Sequence, residues 1–166
     1  MKNLRFPAIV LAALAVGFLV MTLSTAHLLP ERVASHFDAT GRPDGWTDRS
    51  SFLLVMGGVG LAFPLVFAIS MPFLILSKPG RSQLLKQSSG LTFADLLRRA
   101  FWFGSMTLCF IAAVQALVVN ANASTPPRLQ MAMVVIVVVA FTLGVMFWAG
   151  SLLYHFSRFH RLAQPA

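Results

Sequence analysis

Hydrophobic and polar residues are segregated along this chain into long blocks. Four stretches, residues 6–29, 52–76, 100–119 and 131–154, contain no Asp, Glu, Lys or Arg. The hydrocarbon core of a bilayer, about 30 Å thick, is crossed by roughly 20 such residues in a helix. Inside it the backbone has no water to bond, so each stretch is expected to be a continuous helix. Even the run Val134–Val139, which in water would favour a strand, reads as helix at this length. The pattern predicts an all-α integral membrane four-helix bundle, with residues 1–166 as one domain and a short structured loop at 29–50.

Local signals refine the helices. Thr92 with Asp95 three residues on is a capping-box start for the third helix. Thr125 followed by Pro126 suits an N-cap with proline at the first helical position. Ser50 or Ser51 could cap the second helix, and Pro64 and Pro72 should bend it. Small residues recur at helical spacing: Ser105, Cys109, Ala112, Ala113 and Ala116, then Ala140 and Gly144, then Gly57, Gly58 and Gly60. Helices in lipid associate by close packing, so these are expected contact faces, and Gln115 is expected to hydrogen-bond across the bundle. Trp102, Phe147, Trp148 and Tyr154 near span ends are interface anchors.

Composition agrees. The chain is 57% hydrophobic and 11% charged, with a mean hydropathy of +0.77. A soluble domain carries about 25% charged residues, so a soluble enzyme and a disordered chain are both excluded. Cys109 is the single cysteine, which leaves no internal disulfide and no cysteine-built metal site. The net charge of +8 matters through its distribution. Lys2, Arg5, Lys78, Arg81, Lys86, Arg98, Arg99, Arg158 and Arg161 share one side of the predicted spans with Asp95. Arg32, Arg42, Arg49 and Arg128 share the other with Glu31, Asp38, Asp44 and Asp48. All the surplus positive charge therefore falls on one face. The positive-inside rule places that face, and both termini, in the cytoplasm. It can meet anionic headgroups there, so the bilayer is the expected partner and nucleic acid is not.

Residues 1–26 could also be a signal peptide ending at Ser24-Thr25-Ala26. The apolar run Phe6–Ala26 is longer than the usual h-region of about 7–15 residues, which favours a retained span. Apart from His27 near the outer end of the first span, no ionisable residue lies within the membrane, which argues against a proton-driven carrier. Asn122-Ala123-Ser124 matches a glycosylation acceptor and reads as a chance match.

The loop at 29–50 holds four of the five acidic residues, together with His36 and Trp46. Asp38-Ala39-Thr40-Gly41 suits a turn closed by glycine at positive φ, and Arg42-Pro43-Asp44-Gly45 suits a type I turn. Phe37 and Trp46 could fold the loop onto the membrane surface. His36, Asp38, Asp44 and Asp48 are donor types for a divalent cation, but their spacing matches no EF-hand, and no metal or cofactor is expected. An imidazole at position 36 could also sense pH.

The string Leu29-Pro30…Val33…His36-Phe37-Asp38…Gly41…Pro43-Asp44…Trp46 resembles the loop of a bacterial membrane domain of unknown function. That domain also opens the SdpI-type immunity proteins. The resemblance covers about residues 5–60. It departs at Ala34, where the family often has proline, and at Asp38, where it often has asparagine. It implies a multi-pass protein of the bacterial cytoplasmic membrane with no established enzymatic activity. Leu29, Pro30, His36, Phe37, Asp38, Gly41, Pro43, Asp44 and Trp46 are then the motif positions.

Three functions remain in view. The first is a non-enzymatic membrane protein whose loop recognises a toxin peptide, a lipid or a membrane protein partner, with oligomers allowed. The second is a membrane enzyme at the outer surface using His36 with Asp38 or Asp44 as acid–base groups. The third is a transporter or channel accessory subunit.

Overall fold

The computed structural model describes residues 2–76 and 92–162. The chain order is α1 (Lys2–Thr25), a 3₁₀ turn (Ala26–Leu28), β1 (Arg32–Phe37), β2 (Pro43–Asp48), α2 (Arg49–Leu54), a π-helical stretch (Val55–Val59), α3 (Gly60–Leu76), α4 (Phe93–Asn122) and α5 (Met131–Leu162). Among the described residues, four helical segments are long and apolar enough to cross a membrane: Leu4–Leu28, Arg49–Ser70, Phe93–Asn122 and Met131–His155. The fold is therefore mostly helical and fits a multi-pass membrane bundle. The 78–91 loop with Lys78, Arg81 and Lys86 lies outside the described residues, as do the side chains of Lys2, Pro72, Arg158 and Arg161.

Helix α4 is the hub. Leu108 of α4, Leu11 and Phe18 of α1, and Ala68 of α3 form one buried cluster, with Phe101 and Ile111 packed against it. Leu11 and Phe18 of α1 thus belong to the core of the bundle. Gly104 permits the close approach of α4 to α3, because a Cβ there would lie 3.1 Å from both the Pro64 carbonyl and Ala68 Cβ. Across the same core, Gln115 is fully buried and bonds the Thr22 hydroxyl of α1, as its polarity within an apolar run predicts. Helix α5 makes its main contacts with α4. A Cβ at Gly144 would strike Met106. At the far end Trp148 Nε1 donates to the Arg99 carbonyl at 3.0 Å, and Arg99 Nη1 donates to Ser151 Oγ at 2.7 Å. Trp148 is therefore a helix–helix contact as well as a residue near a span end.

The expected capping box at Thr92 and Asp95 is present in both directions. Three expectations need correction. The second span is not one regular α-helix; it widens into a π turn at Val55–Val59, where Gly57 and Gly58 leave the backbone freest. Its N-cap is Asp48, not Ser50 or Ser51, because strand β2 runs directly into the helix. Helix α5 starts at Met131 and not at Thr125-Pro126. Pro127 disfavours the helical region for Pro126, and the segment is held otherwise: Arg128 N–H donates to the Ala121 carbonyl and Leu129 N–H to the Gly41 carbonyl.

Candidate functional site

The loop between the first two spans folds as a two-stranded antiparallel hairpin. Its tip is the predicted glycine-closed turn. Gly41 sits at φ +81°, and a Cβ there would strike the Leu129 carbonyl oxygen. Gly41 N–H donates to the Asp38 carbonyl and Asp38 N–H to the Arg42 carbonyl. Asp38 Oδ1 accepts three bonds, from Thr40 N–H at 2.8 Å, Thr40 Oγ1 at 2.7 Å and Arg42 N–H at 2.9 Å. The Thr40 hydroxyl first, and then the Arg42 amide, hold this carboxyl below its ordinary value of 3.8.

The second predicted turn is not formed. Residues 43–48 are strand β2, with Pro43 at its first position opposite Phe37. Gly41 has already reversed the chain, and a proline at the start of a strand gives up no needed ladder donor. The pairing is irregular. Arg32, Val33 and Ala34 face Asp48, Thr47 and Trp46 in turn, then His36 faces Gly45 and Phe37 faces Pro43. Ser35 and Asp44 are the extra residues, and bulges of this kind re-aim side chains. Asp44 is turned to His36, whose Nδ1 lies 2.6 Å from Asp44 Oδ1. A Cβ on Gly45 would come within 2.8 Å of His36 Cβ, so glycine at 45 makes room for the pair.

The other face of the hairpin is fastened to the bundle. Leu29, Val33 and Phe52 form a second buried cluster with Val118 and Val119 of α4, and Phe37 packs against it. Phe37 therefore folds onto the helices. Asn122, the last residue of α4, acts as a short strand partner for β1. Its Oδ1 accepts from Ala34 N–H at 2.8 Å and its Nδ2 donates to the Ala34 carbonyl at 2.9 Å. Arg49 closes the base, with its N–H on the Glu31 carbonyl and Nη1 on the Leu29 carbonyl.

The nine motif residues thus divide. Leu29 and Phe37 pack, Asp38 and Gly41 shape the tip, and Pro43 opens a strand. His36, Asp44 and Trp46 point their chemistry outward; the side chains of His36 and Asp44 are 77% and 47% exposed and Trp46 is 45% exposed. Pro30 is exposed at the base. Asp48 stands at the N-cap position of α2 without a side-chain capping bond and is not brought to the His36–Asp44 pair. Among the described residues no three His, Cys, Asp or Glu side chains gather at one point. Sequence reasoning gives Asn122 and Gly45 other readings and misses the clamp of the one and the clearance beside His36 of the other. Asn122 offered one usable signal, a polar residue closing an apolar helix.

No curated protein and no solved structure matches the chain. One family model does, described as a domain of unknown function (DUF1648), and it matches residues 8–61. The matched segment runs from α1 through the hairpin into the second span.

Proposed function

We propose that this protein is a non-enzymatic membrane protein that uses the hairpin to recognise a partner on the extracytoplasmic side of a bacterial cytoplasmic membrane, in the manner of the SdpI-type proteins its loop resembles. The observation that carries this reading is the division of the motif. A hairpin clamped from behind by Asn122 and a buried apolar cluster presents His36, Asp44 and Trp46 outward. An exposed aromatic and an exposed polar pair on a hairpin held to the bundle suit recognition, because little backbone order is lost when a peptide, lipid or protein surface docks. The asymmetry of basic residues supports the orientation, with the neutral hairpin face outside.

The test is a photo-crosslinking amino acid in place of Trp46, in living cells. The reading predicts a discrete protein or peptide adduct that disappears when His36→Ala and Asp44→Ala are added, while the protein still inserts. Adducts identical to those from a crosslinker at lipid-facing Leu143 would contradict it. The enzyme reading is favoured only by the 2.6 Å His36–Asp44 contact. It requires His36→Ala to abolish turnover of the captured partner while leaving the adduct intact.

A further inference from the structure

The hairpin has two long edges, and one of them is closed. On β1 the Ala34 N–H and carbonyl both bond the Asn122 carboxamide, so both point away from β2. In an antiparallel ladder, the two residues of a facing pair either bond each other with both backbone groups or turn both groups away. Ala34 faces Trp46, so the Trp46 N–H and carbonyl also turn away, to the outer edge of β2. A second bond fixes the same alternation. Arg49 N–H donates to the Glu31 carbonyl, which makes Val33–Thr47, two residues on, a bonded pair and leaves Arg32–Asp48 and Ala34–Trp46 as outward pairs. The Asp48 N–H therefore shares the outer edge with both groups of Trp46. Among the described residues nothing bonds these three groups. Trp46 and Asp48 are exposed, so a ligand can reach them.

An open edge is a template for a further strand, and the side chains beside it select the sequence of that strand. Exposure alternates along β2, with Asp44, Trp46 and Asp48 exposed and Pro43, Gly45 and Thr47 half-buried. The presented row is carboxylate, indole, carboxylate. Asp48 faces Arg32 but makes no ion pair among the described residues, where Asp44 pairs with His36 alone. Residues of an added strand would stand opposite this row, where opposite charges attract and like charges repel. A β-branched residue suits the position opposite Trp46, and flanking cations gain from the indole face as well as from the carboxylates. Pro43 brings no N–H to the edge, which keeps the added strand short.

We propose that the outer edge of β2 binds an extended basic peptide segment, which adds antiparallel as a third strand, exchanges both backbone bonds with Trp46 and sets a lysine or arginine opposite each of Asp44 and Asp48. The proposal rests on the recognition reading of the hairpin and names the chemistry of the partner.

The test titrates the purified full chain in a neutral detergent with the peptide acetyl-Lys-Thr-Val-Thr-Lys-amide, followed by NMR with isotope-labelled tryptophan. The chain has three tryptophans. The backbone amide of Trp46 should shift saturably while those of Trp102 and Trp148 stay in place. N-methylation of the peptide's valine, whose N–H must meet the Trp46 carbonyl, should weaken binding about fivefold or more, the scale of one net hydrogen bond. N-methylation of the threonine after it, whose N–H faces away from the edge, should leave binding unchanged. Replacing both lysines by glutamates should abolish the shift. Asp48→Asn, which keeps a good N-cap residue at the start of α2, should weaken the lysine peptide and reduce the salt dependence of its binding. No saturable shift at Trp46, a loss from valine methylation no larger than from threonine methylation, or equal binding of the glutamate peptide overturns the proposal. A crosslinked adduct at position 46 in cells without a peptide shift overturns the added strand and leaves recognition standing; a peptide shift without an adduct does the reverse.

Discussion

Asp38 shows how one side chain can set the hairpin tip. Its carboxylate collects three donors from the turn it closes, so its pKa in the folded chain lies below the ordinary 3.8. A group depressed on folding contributes stability above its unfolded pKa, and that contribution is lost as pH falls through the folded value. Exchange protection of the Thr40 and Arg42 amides should therefore be constant from neutral pH down to about 4, after correction for intrinsic rates, and fall below that. Asp38→Ala should remove the pH dependence. Gly41 is constrained twice, by φ and by the nearby Leu129 carbonyl. Gly41→Ala should destabilise the hairpin by at least about 1–2 kcal/mol, read as a lower melting temperature in detergent and loss of protection at Leu129. Asn122→Leu leaves both polar groups of Ala34 without their partner. It should cost about 1–3 kcal/mol and raise exchange across β1 while α1 and α3 stay protected.

The elements differ in how far their sequence announces them. The four spans follow from the need to satisfy every backbone group in lipid, which leaves long apolar runs no alternative to helix. The capping box at Thr92 and the glycine turn at Gly41 are local, and both are visible in four consecutive residues. Strand β2 is not local. Pro43-Asp44-Gly45 carries the composition of a turn, and only its pairing with β1, bulges included, makes it a strand. The Asn122 clamp joins residues 88 positions apart, so no reading by segment reaches it. The His36–Asp44 pair needs the bulge to form, and both residues were visible as candidates without their contact. The start of α5 was misplaced because Thr125-Pro126 satisfies the helix-start rule while Pro127 defeats it. Between elements, the Thr22–Gln115 bond joins α1 to α4. A double-mutant cycle with Thr22→Val and Gln115→Leu should give a coupling near about 0.6 kcal/mol, and not above about 1.7, as for other interhelical bonds in membranes.

At the scale of the whole molecule, α4 gathers α1 and α3 into one core, and α5 packs along it. The hairpin tops one end, fixed to the end of α4 and to the segment before α5. The opposite end holds Arg98 and Arg99 with Asp95. The two ends separate the acidic hairpin loop from Arg98 and Arg99, and recognition by the hairpin requires that they lie on opposite sides of a membrane. The direct measurement is cysteine accessibility in a Cys109→Ser background, using single cysteines at two exposed positions, Ala39→Cys at the hairpin tip and Ala94→Cys at the start of α4. A membrane-impermeant maleimide should label position 39 in intact cells and position 94 only after the membrane is opened. Labelling of both positions from one side, or of position 94 alone in intact cells, contradicts the account.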